Sequence, residues 1–255
     1  MNRFFTEAEN IREGSIFITH GQDVKHISKV LRLKKGDCIE VSDGMKWEYV
    51  AEIVKLDANL VECKILDKQA FAAEPGVRVT LFQGVPKQGK MELIIQKTVE
   101  LGVHAVVPVF TTRSVVTDNG KFDKKTDRWQ KIADEAVKQC KRGVIPQVEP
   151  ATDFDEMCGR LSEFHEVVFP YENEDGTTIK DALSKIRNKW QEEGWNHQEE
   201  KKVALIIGPE GGFSQEEAEA LRKLNTHCVS LGKTILRTET AGMAALAMVM
   251  YELEL

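Results

Sequence analysis

Along the first third of the chain, apolar residues come in short runs separated by turn residues. SIFIT (15–19), CIEVS (38–42), WEYVAEIV (47–54) and LVECKIL (60–66) are rich in β-branched and aromatic side chains. That is the length and composition of half-buried strands. Asp43-Gly44 and Asp57-Ala58-Asn59 lie between runs and supply turn conformations. One short helix, over 23–31, interrupts the set. The pattern predicts a small β-barrel over residues 1–73, with a linker in QAFAAEPG (69–76) ending on Pro75-Gly76.

From residue 77 the spacing changes. VRVTLFQ (77–83), AVVPVF (105–110), EVVF (166–169), VALII (203–207) and HCVSL (227–231) are apolar runs, as expected of strands covered on both faces. Met91, Ile94, Ile95, Thr98 and Leu101 recur at helical spacing. So do Trp129, Ile132, Ala133, Ala136, Val137 and Cys140, on a helix whose other face is basic. Further helices are expected over 176–192, 214–224 and 239–253. The alternation predicts an α/β domain over 77–255, a mostly parallel sheet with helices on both faces. Ligands in such sheets sit beyond the carboxyl ends of the strands. The loops 84–90, 170–176, 208–213 and 232–238 are therefore the expected site. The last helix, ETAGMAALAMVMYEL, is apolar almost all round, so it is central in a core or pressed against a second subunit.

Composition narrows the class. With 255 residues, 42% hydrophobic and 30% charged, the chain reads as globular rather than disordered. No apolar run approaches the roughly 20 residues of a membrane span, and MNRFFTEAENIREG lacks the apolar centre of a secretory leader. Five scattered cysteines without a CxxC, and six histidines without metal-ligand spacing, point to neither a disulfide framework nor a metal site. The expected setting is cytoplasmic, with no membrane and no metal.

The net charge of −6 excludes a general nucleic-acid coat, but the charge is uneven. Residues 25–35 carry Lys25, Lys29, Arg32, Lys34 and Lys35 with no acid. Residues 121–142 hold eight bases, Lys121, Arg128 and Arg142 among them, against four acids. Two basic segments in an acidic chain point to a polyanionic partner.

GVPKQGK (84–90) matches most of a phosphate loop, yet Met91 stands where a hydroxyl should hold magnesium. No apolar strand ends in the aspartate such a site also needs. A nucleotide hydrolase is disfavoured, as is a dinucleotide site, because no GxGxxG occurs.

Two other loops carry more. IIGPEGGFSQEE (206–217) leaves a strand, passes three glycines and a proline, and enters a helix where Ser214 and Glu217 form a capping box. Glycines let main chain approach a ligand closely. SLGKTILRTETAG (230–242) follows another strand, with Thr238 or Thr240 placed to cap the final helix. Arg237 sits near that helix start, against the bias of the dipole, which implies an anionic partner such as Glu172, Glu210 or an RNA phosphate.

GPEGGFS (208–214) with LGKTILRTETA (231–241) resembles the SPOUT superfamily of RNA methyltransferases. More narrowly, it is similar to the small-subunit (16S) ribosomal RNA uridine N3-methyltransferase family. MNRFF, HISKVLRLKKGD (26–37), ELIIQKTVELGV (92–103), TTRSVV (111–116) and RWQKIADEAVKQCKR (128–142) resemble that family too. Thr234 and Cys140 depart from it, standing where arginine and serine are expected, and 187–200 looks like a variable insertion.

The resemblance implies an N-terminal PUA-like β-barrel and a C-terminal α/β domain tied in a deep trefoil knot. It implies bound S-adenosylmethionine and a homodimer through the knotted domain, here through helix 239–253. The donor is expected on Gly208, Pro209, Glu210, Gly211, Gly212, Leu231, Gly232, Ile235, Leu236, Arg237, Thr238 and Thr240. Arg237 and Glu172 are the expected catalytic residues. Arg3, His26, Lys29, Arg32, Lys34, Lys35, Lys87, Arg113, Arg128 and Arg142 are expected on 16S rRNA or the small ribosomal subunit. The alternative expectation is a non-catalytic RNA-binding or ribosome-assembly factor.

Overall fold

The computed structural model describes residues 1–71, 74–87, 89–116, 122–195 and 199–254. Lys121, Gln88 and parts of the expected linker and of segment 187–200 lie outside the described residues. The chain divides into two compact units. One is Met1–Glu74 with Val137–Ile145, and the other is Pro75–Ala136 with Pro146–Leu255.

The first unit is a six-stranded sheet. Its strands are β1 (Arg3–Phe5), β2 (Ile11–Arg12), β3 (Ser15–Ile18), β4 (Cys38–Ser42), β5 (Trp47–Leu56) and β6 (Val61–Ala70), in the order β1-β4-β5-β6-β3-β2. Alternate residues of the long strands turn inward, so Tyr49, Ala51 and Ile53 join Ile16, Ile39, Val41, Val61 and Cys63 in one core. Burial pushes the Cys63 thiol up to about 12, so it packs as an apolar side chain. Helix α1 (Gly21–Lys25) runs on into a π-helical turn, His26–Val30, which plugs Val24 and Ile27 into the same core.

β1 was not expected from the sequence. It pairs parallel to β4 and buries Phe4. Three residues are too few to show a period. Arg3, expected on RNA, is drawn inward with it. Its side chain is 8% exposed and bonds Glu40 at 3.3 Å and Glu48 at 2.6 Å. Arg142, also expected on RNA, is likewise buried, and bonds Glu74 at 2.9 Å. Glu74 also accepts from the amides of Gly143 and Val144. Both arginines are spent on carboxylates of their own unit, since a buried cation must be paired.

The second unit is a parallel sheet. β7 (Val77–Gly84), β8 (Ala105–Phe110), β9 (Gln147–Val148), β10 (Thr152–Asp153), β11 (Glu166–Pro170), β12 (Lys201–Ile207) and β13 (His227–Val229) lie in the order β10-β8-β7-β12-β11-β13, with β9 beside β8. Every pair is parallel, and helices cover both faces. On one face Phe82, Val107, Phe169 and Ile206 meet α4 (Phe154–Arg160) and α6 (Gln215–Arg222) through Met157, Ala218 and Leu221. On the other, Leu81, Gln83 and Ile207 meet Gly242 of α7 (Thr238–Leu253). α7 also packs on α2 (Lys90–Glu100) and α5 (Ile179–Glu192).

α3 (Phe122–Cys140) begins earlier than its apolar stripe suggested. α4 was missed altogether: seven residues show little period, though the Asp153 cap, accepting from Glu156 at 2.8 Å, marks its start. Trp190, inside the expected variable segment, is 1% exposed and stacks edge-on with Trp195. That tryptophan is core.

Candidate cofactor site and nucleic-acid surface

Because the strands are parallel and β7, β12, β11 and β13 are neighbours, the loops at their carboxyl ends open on one edge. These are 85–89, 208–214, 171–178 and 230–237. The backbone closes them together. A β-carbon on Gly84 would meet the Pro209 nitrogen at 2.5 Å and the Gly208 carbonyl carbon at 2.8 Å, so only glycine fits there. Gly212 has φ +65° and rests against the Glu172 carboxylate. Its amide donates to the Pro209 carbonyl at 2.9 Å, making 209–212 a tight turn.

Buried hydrogen bonds tie the second loop to the first. The Thr238 hydroxyl donates to the Gly208 carbonyl at 2.6 Å and accepts from Gln83 Nε2 at 2.9 Å. Gln83 is fully buried at the end of β7, and its Oε1 has no hydrogen-bond partner among the described residues. The sequence pattern does not single out Gln83. A lone amide closing an otherwise apolar strand was the available signal. The pattern also predicts that Thr238 or Thr240 caps α7. Instead the helix starts at Thr238 with Arg237 in the cap position and no side-chain cap. The Thr238 hydroxyl is committed to Gly208, and Thr240 is exposed. Among the described residues, the first-turn amides of α7 have no side-chain acceptor.

The capping box on α6 is present, and Glu217 does more than cap. It accepts from the Ser214 amide and from the Thr112 amide, both at 2.8 Å. Arg113 then reaches the Gly211 carbonyl at 3.0 Å. The TTRSVV loop is thereby fastened to GPEGG, so Arg113 touches the 208–212 loop rather than standing free.

Glu210 accepts from the Lys87 amide and pairs with Lys90 at 3.0 Å. Burial raises its pKa, but the Lys90 bond and the amides of Glu210 and Lys87 outweigh that and hold it below the usual carboxylate range. Within PYENEDG, Glu174 accepts from the Gly176 amide at 2.9 Å and pairs with Arg222 at 3.1 Å. The Gly176 bond foremost holds its carboxyl low. Glu174 is engaged, and Glu172 is the exposed carboxylate against the glycine turn. Leu231 and Leu236 are half-buried, Gly232 has φ +130°, and Ile235 is 85% exposed. Arg237 is exposed, with no carboxylate in ion-pair range among the described residues. The protein-side partners expected for it, Glu172 and Glu210, are not paired with it.

The family model of an RNA methyltransferase domain matches residues 73–250, and that of an RNA methyltransferase PUA domain matches 20–66. Ribosomal RNA small subunit methyltransferase E of Bacillus subtilis is 34% identical, over 100% of this chain and 98% of its own. The chain belongs to the small subunit methyltransferase E family of RNA methyltransferases. The Neisseria gonorrhoeae member, solved bound to S-adenosylmethionine, is 27% identical with a TM-score of 0.81, covering 98% of this chain and 97% of its own. A Legionella pneumophila methyltransferase, solved with the same cofactor, is 29% identical with a TM-score of 0.79, covering 98% and 96%.

The expected RNA-facing residues of this family member divide by environment. Lys25, Lys29, Arg32, Lys34 and Lys35 are all exposed, and among the described residues none has an ion-pair partner. His26 is half-buried with its ring edge-on to Phe4. Lys87 is exposed, and Arg128 is exposed beside Glu92 at 3.4 Å.

Proposed function

We propose that the chain transfers the methyl group of S-adenosylmethionine to N3 of a uridine in small-subunit (16S) ribosomal RNA, in the cytoplasm and as a homodimer. The observation that carries this reading is the Thr238-to-Gly208 hydrogen bond, which joins two glycine-bearing loops into one main-chain cradle. The cradle suits the donor. It offers open backbone at Gly232, where a β-carbon would meet nothing within 4 Å, exposed apolar surface at Ile235, and uncapped amides at α7. The related structures with this cofactor support the assignment.

Bound donor supplies an electrophilic methyl group on a sulfonium. Main chain of Gly208, Pro209, Glu210, Gly211, Gly212, Leu231, Gly232 and Leu236 holds it, with Ile235, Thr238 and Thr240 lining the cradle. N3 of uridine carries a proton, so the acceptor is active only as the anion. Glu172 takes that proton, and Arg237, an exposed cation without an ion-pair partner among the described residues, stabilises the negative charge that spreads to the uracil oxygens. Placement of the two reactants in line supplies much of the rate.

The test is digestion and mass analysis of small-subunit rRNA incubated with the protein and isotope-labelled donor. Labelled 3-methyluridine is expected. RNA that binds but gains no label would instead indicate a non-catalytic assembly factor, and label on another base or atom would refute the N3 assignment.

A further inference from the structure

The phosphate-loop look-alike between β7 and α2 is left unused by the methyl-transfer reading, yet its anion position is filled. The anion is the protein's own Glu210. Its two carboxylate oxygens lie 3.0 and 3.3 Å from the Lys87 amide, and Lys90 Nζ lies 3.0 Å from Oε1. The same ammonium is 3.2 Å from Glu239 Oε2, in the first turn of α7. That oxygen is buried, with no partner among the described residues other than this ammonium, so the neighbouring positive charge is what offsets its burial. The hydrogen bond to Glu210 foremost raises the Lys90 pKa, against a smaller opposing effect of desolvation. The cation is therefore secure at neutral pH.

We propose that Lys90 is a positioning residue whose ammonium ties the 208–212 loop to the first turn of α7, so that the two form one wall of the donor pocket. This rests on the cofactor reading above. An ordinary surface ion pair contributes little. This one differs in having two carboxylates on separate elements, a loop and a helix, with side-chain exposures of 28% for Lys90, 23% for Glu210 and 13% for Glu239. Without the ammonium, Glu210 and Glu239 face each other uncompensated and the two elements separate. Donor binding weakens while the chemistry at saturating donor persists.

The test is calorimetric titration of S-adenosylmethionine into the full-length wild type and Lys90→Met, with steady-state methylation alongside. Kd and KM for the donor should rise about tenfold, as for loss of a charge-assisted tie, with kcat nearly unchanged. Lys90→Arg should restore most of the affinity, because a guanidinium can span both carboxylates. Unchanged donor affinity in Lys90→Met, an equal fall in kcat, or no rescue by arginine would overturn the proposal. If the methionine variant does not fold, Glu239→Gln breaks the tie from the other end. It should raise the donor Kd severalfold, and an unchanged Kd is again contrary. Wild type that gives no binding heat sinks the cofactor reading itself. Wild type and Lys90→Met that bind equally well sink only the role of Lys90.

Discussion

Gly84 ends β7 in direct contact with the backbone of the 208–212 loop, and a methyl group there has nowhere to go. The obstacles are Pro209 nitrogen at 2.5 Å, Pro209 Cδ at 2.6 Å and Gly208 carbonyl carbon at 2.8 Å, none of them the end of a flexible side chain. Gly84→Ala must displace the 208–212 turn. Expected results are a loss of about 1–3 kcal/mol in stability, as for overpacking, and at least a tenfold weaker donor affinity by calorimetry. Gly159→Ala is the control. It lies in α4 with nothing within 4 Å of the added carbon, and alanine favours helix. If Gly84→Ala binds donor like wild type, the contact is not part of the site. At this scale the sequence was half legible. Three glycines in 208–212 announced close main-chain approach, but what each approaches was hidden: Phe213 for Gly208, Arg113 for Gly211, Glu172 for Gly212. The charges of Arg3 and Arg142 were legible too. Their carboxylate partners, far away in the chain, were not.

Among the elements, those long enough to show a period were legible, and so was the three-residue β13, which lies inside the apolar run HCVSL. β1, β2, β9 and β10, of two or three residues with no such run around them, were not. α7 was legible as apolar, while the division of its faces needed the fold. Gly242, Ala245, Leu246, Val249 and Leu253 are buried against the sheet, α2 and α5. Ala244 and Ala247 are half-buried, Met248 is exposed, and Tyr251 is 70% exposed. These four form a second apolar stripe at helical spacing. α2, packed beside α7, exposes Leu93, and Leu101 just past its end is exposed too. Exposed apolar surface of this kind marks an interface, and the proposed homodimer supplies a second copy of the same stripe. Met248→Glu with Tyr251→Glu should convert a dimer to a monomer in sedimentation velocity, with far-UV circular dichroism unchanged. A wild-type monomer at micromolar concentration, or a double variant that still dimerises, would refute this face.

For the molecule as a whole, charge distribution rather than net charge governs the encounter with RNA. The chain carries 41 acidic against 35 basic side chains, and many of its bases are neutralised locally, as Arg3, Arg142 and Lys138 are by Glu40, Glu48, Glu74 and Asp23. In the first unit the 25–35 segment keeps a cluster of five exposed cations without ion-pair partners among the described residues, beside the scattered Arg12, Lys46, Lys64 and Lys68. Arg32 has φ +53° there, turning the chain just past the π-helical turn and keeping the cluster on a short, bent surface. If each cation neutralises one phosphate, counterion release gives log K a slope against log salt of about −4 from this segment alone. Replacing Lys25, Lys29, Arg32, Lys34 and Lys35 by glutamine should therefore weaken rRNA binding at low salt and flatten the slope by about 4, with donor affinity unchanged, because the cradle lies wholly in the second unit. Filter binding across a salt series, paired with donor calorimetry, separates the two effects. A slope that stays as steep in the glutamine variant would move the RNA-binding surface elsewhere, to the exposed cations of α3 and the 84–90 loop.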